Sequence, residues 1–154
     1  MSLLIYIDSA KTIVLASISI VPLTLREIDR WPAHNEVARN ARGDWPTGVY
    51  RFSHYNAHSE AGLLPAAATT AYGGTGIYVF SVPGRTGMGV HAGRSTDYDK
   101  PGGKTLGCIR VSTVAMLRIN AQHQNDPLTH IFVANRRSLE ALKALREIAG
   151  SGSA

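Results

Sequence analysis

The single cysteine of the chain lies in a segment that has the residues for acyl-transfer chemistry. Cys108 follows Gly107 directly, and Arg110 stands two positions later. A glycine here lets a substrate approach the backbone, so that the amides of Gly107 and Cys108 can point at a developing oxyanion. Arg110 is a permanent cation that can hold a carboxylate or brace the loop. The segment therefore predicts a nucleophilic thiol, and a small buried structural cysteine is the alternative.

A histidine upstream could activate this thiol. His91 lies in the glycine-flanked run 89–93 (GVHAG), 17 positions before Cys108. A thiol with an ordinary pKa of about 8.5 needs a basic partner or a positive field to react well at neutral pH. Spacing alone leaves open whether the two side chains meet in space. The Cys108–His91 pair is therefore the hypothesis on which a catalytic site depends.

The segment from His91 to Arg110 resembles the catalytic domain of the YkuD-type L,D-transpeptidases. That family's signature is a histidine, a gap, and then Ser/Thr-His-Gly-Cys followed by a hydrophobic residue and often an arginine. Residues 45–50 (WPTGVY) resemble the start of one of its strands, and the N-terminal hairpin resembles its opening strands. The positions that match the cysteine motif one by one are Thr105, Gly107, Cys108, Ile109 and Arg110.

The chain departs from the signature at one position. Leu106 stands where the family has the histidine beside the nucleophile, which is thought to tune the acyl-acceptor side. The departure leaves the Cys108–His91 pair intact and bears on the choice of acceptor. The order of the pair also favours this family, because papain-like peptidases place the cysteine before the histidine, whereas His91 comes first here.

The resemblance implies a reaction and a role for each matched residue. The Cys108 thiolate would attack the carbonyl at the L-centre of a diamino acid in a peptidoglycan stem peptide and expel D-Ala. His91 would take the thiol proton and pass it to the leaving amine, with the Ala92 carbonyl orienting the imidazole. Thr105 and Arg110 are the implied substrate-binding residues. An amine would resolve the thioester in a transpeptidase, and water would resolve it in a carboxypeptidase.

The resemblance also implies where the protein acts and what it needs. Peptidoglycan stem peptides are the expected partner, the periplasm or cell wall is the expected location, and no cofactor or metal is implied. Two alternatives stay open. One is a catalytically weak or inactive cell-wall-binding module of the same fold. The other is a secreted effector of the same fold that targets cell walls.

Charge and composition narrow the choice of partners. The chain carries a formal net charge of +5, which suits an anionic polymer. The positive residues are scattered, and the aromatic residues, 7% of the chain, lack the interleaving of a base-stacking platform, so nucleic acid is not expected. There is no run of 18 apolar residues, so stable membrane insertion is not expected either.

Other polar residues have ordinary structural interpretations. His54 and His58 have metal-ligand spacing on a helix but no evident third ligand, so surface histidines are favoured. Residues 97–99 (DYD) resemble part of a calcium loop without its final acid, which favours a solvated loop. Tyr72 and Tyr78 are interpreted as strand-edge or core residues, although a tyrosine near the site could donate to an oxyanion.

The elements that must position the candidate residues are mostly strands. Residues 3–8 and 12–21 predict an N-terminal hairpin. The apolar run 12–25 also has the character of a signal h-region, but the apolar stretch before it and the lack of a clear cleavage site favour a buried strand. The segment 23–42 is polar and mixed and predicts a short helical turn at 36–42. Further strands are predicted at 49–53, 76–82, 88–92 and 129–134.

The predicted fold is one domain covering residues 1–154. It is mainly β (α+β), with a YkuD-like mixed sheet or sandwich and two C-terminal helices. The first helix is predicted over 113–124 from the spacing of Val114, Leu117 and Ala121. The second is predicted over 136–149 from a leucine-rich stripe.

Overall fold

The computed structural model describes residues 1–38, 45–57 and 69–134, and within these ranges it confirms a mainly β fold. Eight strands and one α-helix are present there, together with a short 3-10 turn at Asp8–Ala10. The elements are β1 (Ser2–Ile7), β2 (Thr12–Ile20), β3 (Leu23–His34), β4 (Gly48–Asn56), β5 (Ile77–Phe80), β6 (Gly89–His91), β7 (Ile109–Val111), α1 (Thr113–Asn125) and β8 (Leu128–Ala134).

The eight strands form one mixed sheet that closes on itself. Their order is β1-β2-β3-β7-β6-β5-β4-β8, and β8 pairs with β1 again. The β1–β8 and β6–β7 pairs are parallel, and the other neighbours are antiparallel. Each described strand therefore has a neighbour on both sides, although β3 meets β7 only at Ala33 and His34. The mixed sheet is therefore confirmed, in a closed form rather than as a sandwich.

The N-terminal hairpin follows from its apolar sequence and is confirmed. Alternate side chains of a strand point to opposite faces of the sheet, so an unbroken apolar run places apolar side chains on both faces. Leu4 and Tyr6 of β1 pack into the main core, whereas Ile5 and Ile7 belong to a second, smaller apolar cluster. β1 and β2 are paired from Ser2↔Ser17 to Ile7↔Thr12.

β3 is a strand that the sequence analysis missed. Its residues lack a clear apolar period because the strand is largely exposed, and its pairing with β2 supplies the backbone partners instead. The end of β3 reaches β7, where Ala33 lies beside Val111. Val37 forms a bridge with Thr105, so the predicted helical turn at 36–42 is wrong for residues 36–38. The remainder of that turn, 39–42, lies outside the described residues.

The predicted helix over 113–124 is confirmed as α1. Ser112 caps it, because its hydroxyl accepts a hydrogen bond from the Ala115 amide at 3.1 Å. The buried stripe is not the expected one. Val114 and Leu117 are exposed, whereas Ala115, Met116 and Ile119 face the core.

The second predicted helix, over 136–149, lies outside the described residues. In the described ranges, no helix combines the length and the apolar character needed to cross a membrane.

Candidate active site

Two short parallel strands bring the candidate nucleophile and base to one place. In the β6–β7 pair, Val90 lies beside Ile109 and His91 beside Arg110, and Cys108 comes directly before β7. Cys108 and His91 both line one cavity of about 300 Å³. Spacing in the sequence could not say whether the two residues are close, and the structure places both at one cavity.

The imidazole of His91 is buried and oriented by its own chain. Its side chain is 3% exposed, and Nδ1 lies 2.5 Å from the carbonyl oxygen of Ala92. A carbonyl only accepts hydrogen bonds, so the proton of the neutral ring is on Nδ1 and the lone pair is on Nε2. The ring of Tyr72 lies against the imidazole, with 4.7 Å between centroids. In this tautomer Nε2 is the ring nitrogen that can accept a proton.

The backbone before Cys108 turns sharply and is held by a threonine. Gly107 has φ +142°, in the region that favours glycine. The Thr105 hydroxyl accepts from the Gly107 amide at 3.1 Å and donates to the Cys108 carbonyl at 2.7 Å. The expectation that the Gly107 amide points at an oxyanion is therefore wrong in this structure, because its hydrogen is already bound. The hydroxyl of Thr105, expected to bind substrate, is occupied by the backbone.

A buried asparagine that the sequence analysis missed holds the same turn. Asn35, 6% exposed, donates through Nδ2 to the Gly107 carbonyl at 2.8 Å and to the Cys108 carbonyl at 3.0 Å. Its Oδ1 accepts from the Trp45 amide at 2.5 Å. The two carbonyls lie 72 and 73 positions away in the chain, so no local pattern marks Asn35 as a site residue.

Arg110 is built into the wall of the cavity. Its side chain is 2% exposed. Nη1 donates to the carbonyls of Gly103 and Lys104 at 2.7 and 3.2 Å, and Nη2 donates to that of Ala71 at 2.8 Å. Of the two expected roles, binding a carboxylate or bracing the loop, these hydrogen bonds perform the second. Its Nε is also buried and has no hydrogen-bond partner among the residues that the structure describes.

A loop between the two candidate residues is pressed against the same wall. Gly93 has φ +120°, and a side-chain carbon there would lie 2.5 Å from the Ala71 carbonyl oxygen, so only glycine fits. The Arg94 amide donates to the Thr70 carbonyl at 2.8 Å. From β3, His34 donates through Nε2 to the Gly102 carbonyl at 2.6 Å. The loop is thus fastened at both of its ends.

The surroundings of Cys108 favour the thiol over the thiolate. Burial raises the pKa of Cys108, and the Gly89 backbone amide and the Arg110 charge offset this only in part. The sulfur lies 3.6 Å from the Gly87 carbonyl oxygen and can donate its proton there. A raised pKa means that deprotonation must accompany attack, so that the site needs a general base at the moment of reaction.

The remaining lining residues give the cavity an apolar rim and a cationic side. Leu106, at the position of the family histidine, is 74% exposed and carries no group that exchanges protons. Arg94 and Lys104 are exposed cations. The lining residues are Ala38, Ala71, Tyr72, His91, Arg94, Lys104, Thr105, Leu106, Cys108 and Arg110.

The other candidate residues do not join this site. His54 contacts the Ser53 hydroxyl at the surface, and His58 lies outside the described residues. Asp97 accepts from the Asp99 amide and pairs with Lys100 at 3.7 Å, as a solvated loop does. Among the residues that the structure describes, no three or more His, Cys, Asp or Glu side chains are grouped so as to hold a metal ion.

Comparison with known proteins finds similarity to solved structures alone. No protein-family model and no curated protein matches the chain. The fold is similar to Bdellovibrio bacteriovorus Bd1075 at a TM-score of 0.60 and 14% identity, over 86% of this chain and 47% of that chain. The chain therefore spans about half of that structure's length. The second match is to Mycobacterium tuberculosis L,D-transpeptidase 1, at a TM-score of 0.45 and 14% identity, over 86% of this chain and 60% of that chain.

Proposed function

We propose that the protein is a cysteine-dependent enzyme of the L,D-transpeptidase type, which acts on peptidoglycan stem peptides through a thioester at Cys108. The observation that best supports this proposal is that Cys108 and His91 line one cavity, with the Nδ1 of His91 bound to the Ala92 carbonyl. That hydrogen bond leaves the lone pair on Nε2, as a general base requires. We expect the protein to act where its substrate is, in the periplasm or cell wall.

In the first half of the reaction, a C–N bond is exchanged for a C–S bond. Nε2 of His91 takes the proton of the Cys108 thiol as the sulfur attacks the carbonyl carbon of the scissile peptide bond. The Cys108 amide donates to the resulting oxyanion, since the Gly107 amide is bound to Thr105. The imidazolium then protonates the leaving nitrogen, D-Ala departs as an amine, and the acyl group remains on sulfur.

In the second half, a nucleophile takes the acyl group from sulfur. His91, neutral again, accepts a proton from the incoming water or amine, and the thiol is restored when the C–S bond breaks. Leu106 offers no acid or base to this step, so His91 must serve both halves. Water gives a carboxypeptidase and an amine gives a transpeptidase, and the products distinguish the two.

A cell-wall-binding module of the same fold is the second candidate. Two observations favour it: the raised pKa of the Cys108 thiol and the leucine at the position of the family histidine. Such a module would bind the polymer without forming a thioester. The two candidate functions therefore differ in whether a thioester forms at Cys108.

The test is the intact-protein mass after incubation with a purified disaccharide-tetrapeptide, with Cys108→Ala as the matched control and with analysis of the released products. We expect release of D-Ala, or an added mass equal to the acyl group, in the wild type alone. If the wild type shows no turnover and gains no mass, the catalytic proposal is overturned. Retained binding to the polymer would then support the binding module.

A further inference from the structure

The described lining of the cavity beside Cys108 carries charges of one sign. Among its described lining residues are three permanent cations, Arg94, Lys104 and Arg110, and no aspartate or glutamate. Neither Arg94 nor Lys104 forms an ion pair with a described residue. Cations gathered at one concave site without an acidic partner favour an anionic ligand there.

The backbone holds both exposed cations in place. Arg110 donates to the carbonyl of Lys104 at 3.2 Å and to that of Gly103 at 2.7 Å, and so fixes the chain that carries the Lys104 ammonium. Arg94 has φ +49°, a left-handed conformation that a residue with a side chain adopts rarely, and its amide is bound to Thr70. The backbone that carries the two side chains is thus fixed at the rim of the cavity.

The positive charges of Arg94 and Arg110 repel each other. Burial lowers the pKa of its guanidinium, and the charge of Arg94 lowers it further. Its Nε is a buried donor to which no described residue offers an acceptor. A bound anion would relieve the repulsion between the two guanidinium groups and bring an acceptor to this wall.

We propose that Arg94 and Lys104, on a wall braced by Arg110, form a carboxylate subsite beside Cys108 that selects acyl donors with a free carboxylate near the scissile bond. The part of this proposal that concerns donors rests on the proposed function. The subsite itself does not, because it is a property of the cavity. A volume of about 300 Å³ is at the small end of ligand sites and fits a short peptide segment.

The subsite is tested first through the reactivity of the single thiol. Iodoacetate and iodoacetamide alkylate the same thiolate with the same chemistry, and only the former carries a carboxylate. The thiolate fraction therefore cancels in the ratio of the iodoacetate rate to the iodoacetamide rate. The two alkylation rates are measured by intact mass. We expect their ratio to be about fivefold higher in the folded protein than in the same protein unfolded in urea. An equal ratio in the two states would overturn the subsite.

Charge-neutralising variants locate the effect. Arg94→Gln and Lys104→Gln should each lower the ratio about two- to threefold, and the double variant should approach the unfolded value. Lys100→Gln is the matched control, because it removes one positive charge from the same loop but does not line the cavity. An equal fall in Lys100→Gln would mean that net charge alone attracts the reagent, and would contradict the proposal.

Peptides then identify the carboxylate. Four tetrapeptide donors, with the C-terminus and the side-chain carboxylate each free or amidated, are tested for protection of Cys108 against iodoacetamide. Loss of protection on amidating one position identifies that carboxylate as the ligand, and equal protection by all four overturns donor selection. If no peptide protects, the proposed function fails, whereas the alkylation ratio still decides the subsite.

Discussion

The β1–β2 hairpin and the β6–β7 pair are held together by different forces. The hairpin pairs along six positions and buries Leu4, Tyr6, Ile13 and Leu15 in the main core. β6 and β7 are three residues each and share two register pairs. Apolar burial and a long ladder of hydrogen bonds are enough to define the hairpin.

The β6–β7 pair and the turn before it depend on buried polar side chains. Asn35, Thr105 and Arg110 all donate to backbone carbonyls at or around the turn before Cys108. A two-position ladder leaves such a turn poorly defined, and buried hydrogen bonds supply the missing constraint. Changes in the hairpin should therefore cost stability, and changes in these donors should alter the thiol.

The largest expected effect on stability comes from the hairpin. Leu15→Ala removes a fully buried side chain and should lower the free energy of unfolding by about 3 kcal/mol, measured by urea unfolding. The alkylation rate of Cys108, corrected for the folded fraction, should stay within about twofold of wild type. A large change in that rate would show that the hairpin and the β6–β7 pair are coupled, and would contradict their independence.

The next largest effect comes from the asparagine. Asn35→Ala removes the side-chain partner of the Gly107 carbonyl and of the Trp45 amide, and leaves the Cys108 carbonyl with the Thr105 hydroxyl alone. It should cost about 2 kcal/mol. In contrast to Leu15→Ala, it should also change the alkylation rate of the folded protein, by about tenfold. Asn35→Asp keeps the acceptor for Trp45 and loses the two donated bonds. If Asn35→Asp behaves like the wild type, the donors do not hold the turn.

A smaller effect is expected at the threonine. Thr105→Val keeps the shape of the side chain and loses the hydroxyl that bridges Gly107 and Cys108, which should cost about 1 kcal/mol. Thr105→Ser keeps the hydroxyl and should retain most of the wild-type alkylation rate. Equal alkylation rates in Thr105→Val and Thr105→Ser would show that the hydroxyl does not position Cys108.

The smallest effect on stability is the pH dependence contributed by the thiol. Burial raises the folded-state pKa of Cys108 above its unfolded value, so its contribution to stability is complete below about pH 8.5 and is lost as the pH rises through the folded pKa. Cys108→Ala should therefore lose less stability than the wild type between neutral and alkaline pH. The alkylation rate should likewise rise with a midpoint above about 8.5, and a midpoint below that value would contradict the raised pKa.

The same contrast explains what the sequence could predict. The hairpin and α1 carry local apolar patterns and a capping serine, so their existence follows from neighbouring residues. The Cys108 motif is also local, and Cys108 and His91 line one cavity. β3 was missed because its partner is β2 rather than an apolar face. Asn35 was missed because its acceptors lie 72 and 73 positions away.

The role of the Gly107 amide was predicted wrongly for a related reason. A free amide was inferred from the flexibility of glycine, but whether a donor is free depends on the acceptors near it. The Thr105 hydroxyl, two positions earlier, is such an acceptor. Likewise, the charge of Arg110 suggested a ligand, whereas three backbone carbonyls take its Nη hydrogens.

The central claim is that His91 activates Cys108 for acyl transfer. The most direct test is the single-turnover rate of thioester formation with the tetrapeptide donor, followed by acid quench and intact mass, in the wild type and in His91→Gln. We predict a Cys108-bound acyl mass in the wild type and a rate about 100-fold or more lower in His91→Gln. Equal rates in the two proteins, or no adduct and no D-Ala release in the wild type, would contradict the claim.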